Sequence, residues 1–549
     1  MKHLLLGDEA IAQGALDAGL SGVYAYPGTP STEITEYIQL VETRRRHRST
    51  SSGQQSADTA TSVFCQWATN EKTAMEAALG MSYMGKRAMV CMKHVGMNVC
   101  ADAFINSAIT GVNGGLVVVA ADDPSMHSSQ NEQDSRFYGR FAMIPIFEPS
   151  SQQEAYDMMA VAFSMSERLH TPVLMRVTTR MAHSRAVVNT TDSPLPQNTM
   201  SLPENVKHFI LLPAYAKQNY AELVAMQPVF TEESDASSFN SYQKGSNPEK
   251  AIVTCGIAWN YLMENYSRQM GCSLLKITQY PLPVKLISQM VADGAREVLV
   301  IEEGQPVVEE LLRGLLPSHV QLNGRLTGSL PRMGELTPDC VRLALGLPAN
   351  NALDVDTKQV VSPRPPALCM GCGHRDMYAA LNEVAREYPS PRIFGDIGCY
   401  TLGALSPFHA LHSTVEMGAS VTMAKGAADA GQFPSIAVIG DSTFTHSGIT
   451  GLLDCVNSNA NVVVLISDNL TTGMTGGQDS AGTGRLEQIC TGVGVLPEHV
   501  RVVVPLPKNM EEIKQVLRDE IEYNGVSVVI ARRECIQTLK RHLREQKKQ

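Results

Sequence analysis

The feature that most constrains this chain is a series of short, uninterrupted apolar runs, each bounded by turn residues and separated from the next by helical patterns. Residues 88–92, 115–121 (GLVVVAA), 172–178, 251–256 (AIVTCG), 297–303 (EVLVIEE), 435–440 (SIAVIG) and 461–467 (NVVVLIS) all have this form. A strand covered on one face alternates apolar and polar residues, whereas a strand covered on both faces does not alternate. Continuous apolar strands with helices between them therefore predict an α/β protein built on parallel sheets. At 549 residues the chain exceeds one core, and we read three doubly wound parallel-sheet domains.

The first block covers residues 1–190. It opens with a strand or turn leading into a helix, and a further helix is expected over 70–85. The polar stretch 44–57 (RRRHRSTSSGQQSA) reads as a loop or insertion. Residues 191–250 are rich in Pro, Ser, Asn and Gln and read as a linker. A second α/β domain occupies 251–350, and the proline-rich 361–368 (VSPRPPAL) separates it from a third domain at 360–549. The first and third blocks share a layout, each able to offer loops at its strand ends.

Composition removes several classes. A formal charge of −10 gives no electrostatic case for nucleic acid or an anionic membrane surface. No apolar run approaches the roughly 18–20 residues of a membrane span. No secretory pattern is present, so the expected location is cytoplasmic. The 12 cysteines are then not a disulfide framework, and Cys91, Cys255 and Cys455 read as small buried hydrophobes. Only Cys369 and Cys372 form a tight C-x-x-C pair.

Two constellations carry chemistry. In the third block, Gly440-Asp441-Ser442 leaves one strand, and Asp468-Asn469-Leu-Thr471 leaves the next. Asp441, Asn469 and a nearby backbone carbonyl would form a hard oxygen site for Mg²⁺, although Asp and Asn also favour ordinary strand-end turns. This arrangement resembles the thiamine diphosphate signature, with Ser442 in place of its usual third-position glycine. In the first block, Asn70-Glu71-Lys72 through Gly80 resembles the start of the pyrimidine-binding helix of thiamine enzymes. Glu71 holds the place of the glutamate that faces N1′ of the aminopyrimidine; alone, it could be a first-turn glutamate suited to the helix dipole.

Further segments narrow the resemblance: Tyr26-Pro-Gly-Thr-Pro-Ser-Thr32, Met92 to Asn98 (MKHVGMN), Asp122 to Asp134, Cys369-Met-Gly-Cys-Gly-His374 and Gly395 to Gly403 (GDIGCYTLG). Together they closely resemble the alpha subunits of indolepyruvate ferredoxin oxidoreductases over nearly the whole chain. The resemblance implies domains of the thiamine-diphosphate-enzyme type: pyrimidine-binding (1–190), transketolase-C-terminal-like (251–350) and diphosphate-binding (360–549). It implies Asp441, Asn469 and the Thr471 carbonyl as Mg²⁺ ligands, with Gly440, Ser442, Met474 and Thr475 beside the cofactor. It implies Thr29, Lys93 and His94 at the substrate, next to Glu71. A [4Fe–4S] cluster would sit on Cys369, Cys372, Cys399 and Cys535. Other readings stay open: zinc on Cys369, Cys372 and His374, or Cys535 as a buried strand-end thiol.

The implied activity is oxidative decarboxylation of a 2-oxoacid, an arylpyruvate such as indolepyruvate, with coenzyme A, giving acyl-CoA and CO₂. The implied assembly is a dimer of heterodimers with a smaller beta subunit, delivering electrons to ferredoxin or another acceptor. Alpha subunits of this family usually continue into a ferredoxin-like domain, whereas this sequence ends in a basic stretch, 540–549, without those cysteines. Two competing readings remain at this point, a non-oxidative thiamine-dependent decarboxylase and a non-catalytic scaffold subunit.

Overall fold

A computed structural model describes residues 1–52, 62–350, 356–362 and 364–546. The chain divides into two compact units, Met1–Leu353 and Asp354–Gln549. Both are α/β, as the continuous apolar runs require.

The first unit opens with β1 (Lys2–Leu6), α1 (Gly7–Asp17), β2 (Gly22–Ala25), α2 (Thr32–Ser52), β3 (Phe64–Trp67), α3 (Glu71–Tyr83), β4 (Ala88–Lys93) and α4 (His94–Thr110). It continues with β5 (Leu116–Asp122), α5 (Arg136–Ala142), β6 (Ile146–Phe147), α6 (Gln152–Leu169), β7 (Val173–Thr178), α7 (Thr179–His183) and β8 (Arg185–Asn189). After α8 (Pro213–Asp235) come β9 (Ser241–Gln243), β10 (Asn247–Cys255), β11 (Cys272–Ile277), β12 (Gln279–Tyr280), β13 (Glu297–Ile301) and β14 (Gln321–Asn323). These strands make a seven-stranded sheet ordered β12-β6-β7-β5-β4-β2-β3 and a five-stranded sheet ordered β14-β13-β10-β11-β9. A separate antiparallel pair, β1-β8, ties the start of the chain to the end of the first sheet's run. All neighbours in the large sheet are parallel except the edge strand β12. Every residue of β4, β5 and β7 is buried, which is why those segments read as unbroken apolar runs.

The second unit holds one fully parallel six-stranded sheet. Its strands are β15 (Arg392–Gly395), β16 (Ser413–Thr414), β17 (Ser435–Gly440), β18 (Val462–Asp468), β19 (Val500–Val503) and β20 (Val526–Arg532), ordered β16-β15-β17-β18-β20-β19. Among the described residues, no helix is long and apolar enough to cross a membrane.

Two sequence expectations need correction. Residues 44–52, read as loop, continue α2 to Ser52, while 53–57 lie outside the described residues. The helix is anchored by buried Ile34 and Ile38 in its first half. Arg44, Arg45 and Arg46, which follow, are exposed and good helix formers, so the helix continues through them without apolar periodicity. The stretch 191–250, read as linker, contains the 23-residue α8 and edge strand β9. Only Asn219, Leu223, Phe230 and Ser234 of α8 are buried, and Pro228 lies inside it. So thin an apolar stripe leaves little pattern to read.

A buried ionic cluster binds the two sheets of the first unit. Arg176 on β7 pairs with Asp122 (2.7 Å) and Glu148 (2.5 Å), and Arg136 on α5 pairs with Asp134 (2.6 Å) and with Glu302 beyond β13 (2.9 Å). All six residues are at most 2% exposed apart from Asp134 at 4%. Burial alone would raise the Asp134 carboxyl, but Arg136 and Arg176 outweigh it and hold it at about 2. Asp122 and Glu302 are raised by burial against the pull of the same guanidiniums. Removing one partner of such a cluster strands the others without compensation. Arg176→Met should therefore destabilise the first unit by about 3–5 kcal/mol, lowering the first transition of a thermal melt. Replacing the exposed Arg168–Glu233 pair with alanines should cost at most about 1 kcal/mol.

Candidate functional site

In an open parallel sheet, ligands bind outside the carboxyl ends of the strands, where neighbouring strands send their connections in opposite directions. In the large sheet of the first unit this reversal falls between β2 and β4. The chain leaves β2 for β3 on one side and leaves β4 for β5 on the other. In the second unit it falls between β15 and β17, which lead outward to β16 and inward to β18. Sheet topology alone thus marks two positions, one in each unit.

At the first position, β2 runs into the Tyr26-to-Pro30 loop. Thr29 is half-buried there, and the Gly28 N–H donates to Thr32 Oγ1 (3.0 Å). The loop lies against the end of β4, with 3.1 Å between the place of a Cβ on Gly28 and Lys93 Cβ. Lys93 is buried, and its ammonium donates to the carbonyl (2.5 Å) and Oγ of Ser128. Burial, only partly offset by Asp123, lowers its amine to about 8. His94 opens α4 fully buried. Its Nε2 is 3.2 Å from the Asn131 carbonyl, which makes Nε2 the protonated nitrogen, and Nδ1 has no hydrogen-bond partner.

Glu71 enters the same place from α3. Asn70 caps that helix by accepting from the Thr73 N–H (2.9 Å), which fixes Glu71 in the first turn. The Glu71 side chain is buried against Gly96 in the first turns of α4. A Cβ on Gly96 would stand 2.6 Å from Glu71 Cγ and 2.8 Å from Oε1, so only glycine admits this carboxylate. Gly96 lies in MKHVGMN, yet sequence reasoning did not single it out, because its role is a contact across elements. Thr29, Glu71, Lys93 and His94 thus follow the ends of the three neighbouring strands β2, β3 and β4.

At the second position, β17 ends at Gly440 and a helix starts at Asp441. It runs as Asp441–Thr443, passes a π turn at Phe444–Gly448 and continues as Ile449–Asn457. Gly440 is required because the Tyr400 ring would lie 2.6 Å from any Cβ there. The first turn of such a helix presents unpaired N–H groups and suits phosphate. Asp441 is 2% exposed, its Oδ2 has no hydrogen-bond partner, and burial pushes its carboxyl up to about 7. A buried carboxylate oxygen without a donor is what a cation site looks like before the cation is considered.

Beside it, β18 delivers the loop from Asn469. Asn469 Oδ1 accepts from the Thr471 N–H (3.1 Å), and its carbonyl accepts from the Cys535 N–H (3.0 Å). Gln478 closes the loop. Its carbonyl accepts from the Thr472 N–H and Thr471 Oγ1 (both 2.9 Å), and its Oε1 accepts from Thr475 Oγ1 (2.6 Å). Ser442 Oγ and Thr472 Oγ1, 3.0 Å apart, join the loop to the helix start. Met474 sits on this loop with half its surface exposed. Gln478 was missed because its work is on the backbone of a loop whose fold the sequence does not display.

The four cysteines gather behind the loop. Cys399 Sγ and Cys535 Sγ lie 3.4 and 3.9 Å from the place of a Cβ on Gly473. Burial first, and then the nearby Cys535, Cys372 and Cys369, push the Cys399 thiol up to about 12. The His374 ring is buried edge-on to Tyr400, and burial lowers its imidazole to about 4. It forms no compact ligand group with Cys369 and Cys372 among the described residues. No three sulfurs of Cys369, Cys372, Cys399 and Cys535 lie within 4.8 Å of one another either, a spacing wider than one tetrahedral ion takes.

Two family models match the chain. "Pyruvate flavodoxin/ferredoxin oxidoreductase, thiamine diP-bdg" covers residues 13–243, and "Thiamine pyrophosphate enzyme, C-terminal TPP binding domain" covers 396–531. Among similar curated proteins, the indolepyruvate oxidoreductase subunit IorA of Archaeoglobus fulgidus is 37% identical over 97% of this chain and 86% of its own length. The subunit of the same name from Pyrococcus abyssi is 36% identical over 97% and 85%. A solved 2-oxoglutarate:ferredoxin oxidoreductase from Magnetococcus marinus is 15% identical with a TM-score of 0.48, covering 63% of this chain and 65% of that one. Identity of this level over almost the whole chain means that the protein belongs to the family of the indolepyruvate oxidoreductase subunit IorA, thiamine-diphosphate-binding oxidoreductases.

Proposed function

We propose that the chain is the catalytic subunit of an oxidoreductase that decarboxylates an arylpyruvate with thiamine diphosphate, Mg²⁺ and coenzyme A. The observation that carries the reading is Asp441, a buried carboxylate with an open oxygen at a helix start on a topological switch point. Asp441, Asn469 and the Thr471 carbonyl would hold Mg²⁺, and the first turn of the helix from Asp441 would take the diphosphate, with Gly440, Ser442, Met474 and Thr475 around it. When bound, thiamine diphosphate supplies the carbanion and electron-sink chemistry that 2-oxoacid decarboxylation needs.

The chain's own residues do the rest. Glu71 offers a buried carboxylate able to hold or release a proton at an aminopyrimidine nitrogen. Lys93 carries a positive charge for the substrate carboxylate, and Thr29 and His94 complete the polar side of that pocket. The names of the relatives favour an arylpyruvate, which would be indolepyruvate. The thiols of Cys369, Cys372, Cys399 and Cys535 are four free sulfurs, as a [4Fe–4S] cluster requires, and would pass electrons to ferredoxin or another acceptor. A smaller beta subunit, a dimer of heterodimers and a cytoplasmic location complete the reading.

Anaerobic purification with its partner subunit, analysis of iron and sulfide, and a 2-oxoacid screen with a dye acceptor test this proposal. Coloured protein with about four irons per chain and coenzyme-A-dependent arylpyruvate oxidation are expected. Glu71→Gln should lower turnover about 10²–10⁴-fold while the iron content stays unchanged. Iron-free protein that still decarboxylates without an acceptor would contradict it.

Lys93 adds a pH signature. An amine lowered to about 8 keeps its charge below that pH and loses it above. KM for the 2-oxoacid should therefore rise as pH passes about 8, and in Lys93→Gln that dependence should vanish from a KM–pH profile.

A further inference from the structure

We propose that Asp8, Glu33 and His183 form a binding site for one divalent transition-metal ion, separate from the proposed thiamine sites and structural in role. Their ligand atoms all lie within 4.8 Å of one another, in a compact His/carboxylate group contributed by three different elements. Asp8 lies in the first turn of α1, Glu33 in the first turn of α2, and His183 ends α7.

The buried member of this cluster lacks a partner. Asp8 is 0% exposed, and neither of its carboxylate oxygens has a hydrogen-bond partner. Glu33 Oε2 and His183 Nε2 face each other as an ion pair at 3.5 Å beside it, and Glu33 raises the imidazole. A fully buried carboxylate lacking any donor is costly, and it holds its proton unless a cation takes the proton's place. A divalent ion would give Asp8 the partner it lacks and take the place of the proton between Glu33 and His183, and the two carboxylates would neutralise it. On binding, Asp8 would give up its proton to the solvent, and His183 the proton that its Nε2 holds toward Glu33.

The donor set selects the kind of ion. One imidazole nitrogen with two carboxylates suits Mn²⁺, Fe²⁺ or Zn²⁺ better than Ca²⁺, which prefers more oxygens, or Cu⁺, which prefers sulfur. The site also has an entrance, because the Glu33 and His183 side chains are 36% and 33% exposed above the buried Asp8. Glu33 directly follows Thr32, whose hydroxyl accepts from the Gly28 N–H, so an ion here would brace the loop that carries Thr29. No spacing motif betrays the site, since its ligands come from opposite ends of the first α/β block.

Mn²⁺ added to the full chain without thiamine diphosphate tests this, read by equilibrium binding and by pulsed electron paramagnetic resonance for coupling to imidazole nitrogen. One tightly bound Mn²⁺ with nitrogen coupling is expected in the wild type. The coupling should disappear in His183→Gln, binding should weaken by about 10-fold or more in Asp8→Asn, and Asp441→Asn should keep both. Wild-type protein without nitrogen-coupled Mn²⁺, coupling that survives His183→Gln, or coupling lost in Asp441→Asn would overturn the proposal. The wild-type spectrum decides even if a variant fails to fold.

Discussion

Parallel strands can be joined only by crossovers, and crossovers in one sheet are right-handed. That constraint sends every strand of the large first-unit sheet, except β12, and every strand of the second-unit sheet toward a common carboxyl edge. It also puts a loop and the start of a helix after each strand. Where the strand order reverses, two such loops part and leave a crevice. The residues with chemical potential follow from this geometry: Thr29 after β2, Glu71 after β3, Lys93 and His94 at the end of β4, Asp441 after β17 and Asn469 after β18. None of them needs a specialised scaffold.

What separates these positions from the rest of the fold is how buried charge is treated. Around Arg136 and Arg176, carboxylates and guanidiniums meet at 2.5–2.9 Å, and every charge faces an opposite one, although Arg176 Nη2, 3.5 Å from Asp134, makes no hydrogen bond. Such a cluster contributes little net stability against an apolar core, yet it fixes how β5, β7 and β13 are joined. At Asp441 the same kind of group is left open, with one oxygen unsatisfied. At Cys399 a half-buried thiol lies near three others with no disulfide to relieve them.

The sequence displayed the strands well, because double-sided burial writes itself as unbroken apolar runs. It also displayed the polar residues at strand ends to which we assign chemistry: Glu71 behind its Asn70 cap, and Asp441 and Asn469 at neighbouring strand ends. It concealed whatever depends on contacts between distant segments. Gly96 matters only because Glu71 packs on it, Gln478 only because three groups of its own loop bond to it, and Asp8 only beside Glu33 and His183. Helix α8 was concealed for another reason: it buries four residues in 23, so it leaves almost no amphipathic stripe.

The central claim is that the crevice at Asp441 is built for Mg²⁺ and a diphosphate. Calorimetric titration of thiamine diphosphate into the protein, with and without Mg²⁺, tests it most directly. Mg²⁺-dependent binding to the wild type, weakened on the order of 100-fold or more in Asp441→Asn with the thermal midpoint unchanged, is the predicted result. Binding of equal strength in both proteins, or binding indifferent to Mg²⁺, would contradict the account.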